Sequence, residues 1–346
     1  AIEKPEAIDG YNCVEVDKET LTIGTSTNEI NFYYTKRTDL SYTVNYLEKG
    51  TNNVLHEAKT VENQTFGTVV SASVTNDAIE KPEAIDGYNC VEVDKETLTI
   101  GTSTNEINFY YTKRNDLSYA VNYLEKDTNN VLHTAKTVEN QTFGTVVTAS
   151  VTNNAIEKPE AIDGYNCVEV DKETLTIGTS TNEINFYYTK RTDLSYTVNY
   201  LEKGTNNVLH EAKTVENQTF GTVVSASVTN DAIEKPEAID GYNCVEVDKE
   251  TLTIGTSTNE INFYYTKRND LSYAVNYLEK DTNNVLHTAK TVENQTFGTV
   301  VTASVTNNAI EKPEAIDGYN CVEVDKETLT IGTSTNEINF YYTKRT

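Results

Sequence analysis

The chain contains no methionine, not even at position 1. A chain without an initiator reads as a mature product or as an interior piece of a longer protein. Cysteine is scarce as well: the 346 residues hold five, each far from the next. No apolar run approaches the roughly eighteen residues of a membrane-spanning helix, so no such span and no membrane insertion are expected. No basic segment followed by an apolar stretch opens the chain, so no secretory leader is visible. Basic residues are few, with 28 Lys and Arg against 53 Asp and Glu and a formal net charge of −25. That deficit disfavours nucleic acid and anionic membrane surfaces as partners, because both are held by Lys/Arg patches that displace counterions, and no nucleic-acid partner is expected. Catalytic constellations are also missing: no Ser/His/Asp order, no convincing pair of acids in a cleft, no Gly-rich phosphate loop. The chain reads as a non-enzyme that uses no cofactor.

What is present is aromatic and repetitive. The 23 Tyr and 9 Phe supply apolar area that a disordered polyanion lacks. The text "AIEKPEAIDGYNCVEVDKETLTIGTSTNEINFYYTKR" begins at Ala1, Ala78, Ala155, Ala232 and Ala309, a period of 77 residues without insertion or deletion. Between these copies the sequence alternates at six places: Thr38/Asn115, Thr43/Ala120, Gly50/Asp127, Glu57/Thr134, Ser71/Thr148 and Asp77/Asn154. The first version then returns at Thr192, so two near-identical modules form the larger unit. Solenoid repeats run to about 50 residues because one repeat cannot bury a core alone. A 77-residue module can hold its own modest core. The expectation is beads on a string.

Strand signals fill one period. In "LSYTVNYLEK" (Leu40–Lys49), Tyr42, Val44 and Tyr46 share one face and Thr43 and Asn45 the other. "GTNN" (Gly50–Asn53) is turn chemistry, and "VLHEAKTVEN" after it completes a hairpin. "GYNCVEV" (Gly87–Val93) reads as a further strand. "NEINFYYTK" (Asn105–Lys113) closes the module, with Ile107, Phe109 and Tyr111 on one face. The stretch from Gly67 to Ile85 fits either a short helix or an irregular crossover. The fold class is therefore mainly β, with α+β as the alternative. Modules are expected at 38–114, 115–191, 192–268 and 269–346, with residues 1–37 the back half of another. No Gly/Ser-rich or Pro-rich linker separates them, so the joints should be short and stiff.

The ordered pieces "YTVNYLEKGTNNVLHEAKTVENQTFGTVV", "GYNCVEVDKETLTI" and "NEINFYYTK" resemble the mucin-binding-protein (MucBP-type) repeat of Gram-positive surface proteins. The pieces that carry the resemblance are Tyr42, Val44 and Tyr46, then Phe66-Gly67, Gly87-Tyr88, and Phe109 to Tyr111. The likeness covers essentially the whole chain. It implies a β-grasp-like (ubiquitin-like) module, strung in arrays on extracellular, cell-wall-attached adhesins. If the opening and closing strands lie parallel, a module is entered and left at opposite ends. Four modules of ten-residue strands would then give an elongated rod of at least about 130 Å.

The solitary thiols Cys13, Cys90, Cys167, Cys244 and Cys321 read first as small packing groups. The alternative is a reactive thiol or a disulfide between chains, with Cys13 the most exposed because its module lacks the front half. Gln occurs at Gln64, Gln141, Gln218 and Gln295, one per full module, which raises a Cys–Gln thioester as a minor reading. A Lys49–Asn108 cross-link is another. His56, His133, His210 and His287 stand alone on a strand, without the three or four convergent ligands a metal needs. Asn63, Asn140, Asn217 and Asn294 open "NQT" sequons, which a bacterial wall protein would leave unmodified and an archaeal or eukaryotic secreted protein would glycosylate.

Three functional readings follow. In the first, the chain is a structural stalk that projects a distal binding domain. In the second, each module weakly holds mucin or another host glycan and repetition supplies avidity. In the third, the open β edge of residues 1–37 accepts strands from another copy and the chain self-assembles into a filament.

Overall fold

The computed structural model describes residues 3–229, 231–306 and 308–346. The chain divides into two compact units, Ala1–Glu160 with Cys167–Tyr188, and Ala161–Asn166 with Thr189–Thr346. Among the described residues every regular element is a β-strand and none is a helix.

In the first unit, β1 (Tyr11–Val16) and β2 (Phe32–Lys36) form an antiparallel pair. The next repeat is complete and shows the architecture: β3 (Leu40–Glu48), β4 (Val54–Gln64), β5 (Val69–Ser71), β6 (Tyr88–Val93), β7 (Thr97–Thr99) and β8 (Glu106–Lys113). Four of these make a mixed sheet in the order β4-β3-β8-β6. The central strands β3 and β8 run parallel, with Val44 opposite Ile107 and Tyr46 opposite Phe109. Period-2 alternation drives this pairing, because both strands turn their apolar residues to one face. Tyr42, Val44, Tyr46, Ile107, Phe109 and Tyr111 are all buried there.

A second, two-stranded sheet closes the core. β5 and β7 pair antiparallel, with Val70 opposite Leu98. Val70, Ala72, Leu98 and Ile100 pack against the inner face of the large sheet. These two short strands were not legible in the sequence, since three residues are too few to display a period. The segment between β5 and β6 contains no helix. Of the two readings for residues 67–85, the irregular crossover is the one formed, pinned by a parallel bridge between Ala72 and Glu80.

Backbone chemistry sets the element ends. The β3–β4 hairpin closes through Glu48 N–H donating to Asn53 O at 2.8 Å, while the Glu48 carboxylate accepts from Thr51 Oγ1 and Asn53 Nδ2. Asn52 holds φ 58° in this turn, a left-handed conformation that Asn adopts more readily than most residues. The third strand expected from the sequence begins at Tyr88 and not at Gly87, because Gly87 is a turn residue at φ 78°. The closing strand begins at Glu106, since the Asn105 side chain is folded back on Gly101 and on Ser41 O.

The same arrangement recurs at Leu117–Lys190 in strand order, and in the second unit. There Val208–Gln218, Leu194–Glu202, Glu260–Lys267 and Tyr242–Val247 form one sheet, and Val285–Gln295, Leu271–Glu279, Glu337–Lys344 and Tyr319–Val324 the next. Mainly β architecture in tandem repeats is what the structure shows.

Candidate functional site

The most unusual chemistry of each repeat is a buried carboxylate. Glu80, on the irregular crossover, is only 3% exposed. Tyr42 Oη donates to Glu80 Oε1 at 2.5 Å, and Lys59 Nζ donates to both carboxylate oxygens at 3.0 and 2.8 Å. Burying an anion is costly unless it is paired and hydrogen-bonded, and here both conditions hold. Burial and the adjacent Glu80 push the Tyr42 phenol well above its ordinary range. The trio recurs as Tyr119–Glu157–Lys136, Tyr196–Glu234–Lys213 and Tyr273–Glu311–Lys290. It ties the crossover to the sheet. In the β3–β4 register Lys59 stands opposite Val44, so its half-exposed side chain reaches the buried Glu80 from the edge strand, a placement the sequence did not signal.

The cysteines lie at the sheet edge. Cys90 sits on β6, half-buried against the core, with Sγ donating to Glu92 O at 3.7 Å. Burial pushes the thiols of Cys90, Cys167, Cys244 and Cys321 up. Cys13 is exposed. Its repeat has no counterpart of β3 and β4 in this chain, and Val14, Ile23 and Tyr33 are exposed with it. A cavity of about 860 Å³ there is lined by Val16, Leu21, Ile23, Ile30 and Phe32. Their counterparts Leu98, Ile100, Ile107 and Phe109 are core residues in the following repeat. This cavity is an uncovered core.

The proposed side-chain partners are kept apart. Gln64 ends β4 opposite Leu40, and Cys90 lies in β6 opposite Tyr111 on the Glu48 row, so the two sit at opposite edges and opposite ends of the sheet, about 30 Å apart by strand spacing and rise. Within a module the structure does not bring the Cys and Gln side chains together. Lys49 Nζ pairs with Glu92 at 2.7 Å, whereas Asn108 accepts from Asn45 Nδ2 and donates to Asp94, so the two do not meet. His56 is exposed, edge-on to Tyr46 at 5.4 Å, with Nδ1 3.1 Å from Glu57 O. Among the described residues no three His, Cys, Asp or Glu side chains converge on a point that could hold a metal.

The sequon asparagines have a backbone role. Asn63 lies at an irregularity of the β3–β4 ladder at φ 58°, and Asn140, Asn217 and Asn294 adopt the same conformation. All four side chains are exposed.

These features define a class: a tandem β-repeat protein whose recurrent polar groups hold the fold together. The chain belongs to the MucBP domain family, whose model matches residues 2–35, 42–112, 120–189, 196–266 and 274–343. This is a binding and repeat family, found in adhesin-type surface proteins, and not an enzyme family. A comparison with curated proteins gives no match.

Proposed function

We propose that the chain is the repeat stalk of a secreted cell-surface adhesin, carrying a distal binding domain away from the cell wall. The modules of that stalk are residues 38–114, 115–191, 192–268 and 269–346, with 1–37 the end of a preceding one. The observation that carries this reading is the parallel pairing of β3 with β8. Parallel first and last strands bring the chain in at one end of a module and out at the other. Lys113 ends β8 and Leu117 begins the next strand, so the chain moves on after three residues. Each module then adds its own length to the array, and the acidic surfaces of neighbours repel collapse.

Mucin or another glycan is the second reading, supported by the family. Sugars stack on exposed aromatic faces. In the complete repeats Tyr42, Tyr46 and Tyr111 are core residues, while Tyr88 and Tyr110 are half-buried. Among the described residues Tyr33 is the one tyrosine that is largely exposed. This distribution favours reach over stacking.

The two readings part on measurement. The full chain is passed over immobilised mucin and mucin O-glycans, and its dimensions are measured by small-angle scattering. A stalk gives no glycan-inhibitable binding and a maximum dimension of about 130 Å or more. Saturable, glycan-inhibitable retention would replace the stalk by the binding array. A concentration-dependent rise in mass would point to self-assembly.

A further inference from the structure

The tripeptide Asp-Gly-Tyr occurs once in every repeat, at Asp9–Tyr11, Asp86–Tyr88, Asp163–Tyr165, Asp240–Tyr242 and Asp317–Tyr319. Within a repeat it makes a turn, with Tyr88 N–H donating to Ile85 O, and leads into β6. Its glycine is nevertheless buried in four of the five copies, Gly10, Gly87, Gly164 and Gly241, and exposed in the fifth, Gly318. The difference is the following repeat. A Cβ on Gly87 would stand 2.4 Å from the ring of Phe143, which belongs to the next repeat. Gly10, Gly164 and Gly241 meet Phe66, Phe220 and Phe297 in the same way, and Gly318 meets nothing within 4 Å.

Three further contacts surround that ring. Tyr88 stands edge-on to Phe143 at a centroid distance of 5.7 Å, as do Tyr11 to Phe66, Tyr165 to Phe220 and Tyr242 to Phe297. Thr179 Oγ1 of the following repeat donates to Asp86 Oδ1 at 2.5 Å, and Thr102, Thr256 and Thr333 do so to Asp9, Asp163 and Asp240. The connecting residues are tied on both sides: Arg114 N–H donates to Gly87 O, Phe143 N–H donates to Arg114 O, and the Arg114 guanidinium grips Asp116 through two bonds of 3.0 Å.

We infer that the Asp-Gly-Tyr turn is a docking socket for the following module, whose Phe-Gly turn and Thr hydroxyl are the matching plug. Aromatic packing against bare glycine backbone and a short hydrogen bond hold the two modules together at the joint, while the Arg114–Asp116 pair stiffens the connector itself. Consecutive modules within one compact unit that are joined this way move as one body on the timescale of loop motion, although each has its own core. All groups of socket and plug are identical in the two alternating versions of the module, so either version fits either neighbour. The inference goes beyond the stalk reading and does not depend on it, because a glycan-binding array would carry the same joints.

The test uses the full chain with its five cysteines replaced by serine and two nitroxide labels. One pair spans a joint, at Val91→Cys and Val131→Cys; the control pair lies inside one module, at Val54→Cys and Val91→Cys. All three valines are exposed. Electron–electron distance measurement should give a narrow distribution for both pairs. Asp86→Ala with Thr179→Val, which touches only exposed side chains, and separately Phe143→Leu, which keeps an apolar group, should each broaden the joint pair about twofold or more, toward a flexible connection. The control pair should stay narrow. A joint pair that is broad from the start, or unchanged in both variants, overturns the inference. If Phe143→Leu broadens the control pair too, the Asp86→Ala/Thr179→Val result decides.

Discussion

Tyr42 Oη lies 2.5 Å from Glu80 Oε1, although 38 residues separate them along the chain. The contact joins the first strand of the sheet to the one segment of the module that has almost no regular structure. A crossover without a helix, here residues 72–87, would ordinarily be loose. Here its buried end is held by a phenol and a lysine.

Removing the phenol oxygen alone should be felt. Tyr42→Phe leaves the ring in place and takes one donor from a buried carboxylate, so that module should lose about 1–3 kcal/mol. Urea unfolding of the full chain with the change made at Tyr42, Tyr119, Tyr196 and Tyr273 together gives the value from the shift in midpoint. An unchanged midpoint would mean that Lys59 satisfies Glu80 by itself.

Alkali should unfold the protein through its tyrosines. Burial raises the phenols of Tyr42, Tyr111, Tyr119, Tyr188, Tyr196, Tyr265, Tyr273 and Tyr342 far above the ordinary 10.0. A group whose folded pKa is raised keeps a proton that the unfolded chain releases. Its contribution is complete below about pH 10 and falls as pH rises above it. Tyrosinate absorbance and far-ultraviolet circular dichroism should therefore change together above pH 10. Ionisation of all tyrosines with the sheet signal intact would contradict this.

Thiol labelling should distinguish one cysteine from four. Cys13 is exposed, while the others are half-buried with thiols pushed up. The thiolate is the reactive species, so a disulfide reagent at neutral pH should show one fast equivalent and four slow ones. Five equal rates would show that the edge strands open freely.

The sequon position should tolerate glycine better than alanine. At φ 58°, Asn63→Ala should cost about 1–2 kcal/mol from left-handed backbone strain, and Asn63→Gly much less. Thermal unfolding of the two variants ranks them. Equal melting temperatures would show that the ladder irregularity relaxes when Asn is lost.

Most of the fold was present in the residue order. The 77-residue repeat, the alternation in "LSYTVNY" and "INFYY", and the turn residues between them specify a β module in tandem, because strand faces and turns are local physics. Tertiary structure decided the rest. Only the fold could pair Val69–Ser71 with Thr97–Thr99, since strands of three residues carry no periodic signal. Only the fold could show that Glu80 is interior, because its neighbours Lys81, Pro82 and Glu83 read as surface. Only the fold could turn Asp86-Gly87-Tyr88 from a strand opening into a socket, because the ring that fills it arrives from Phe143 in the next repeat. Local pattern sets what each strand buries; which buried groups meet depends on chain crossings that no local pattern encodes.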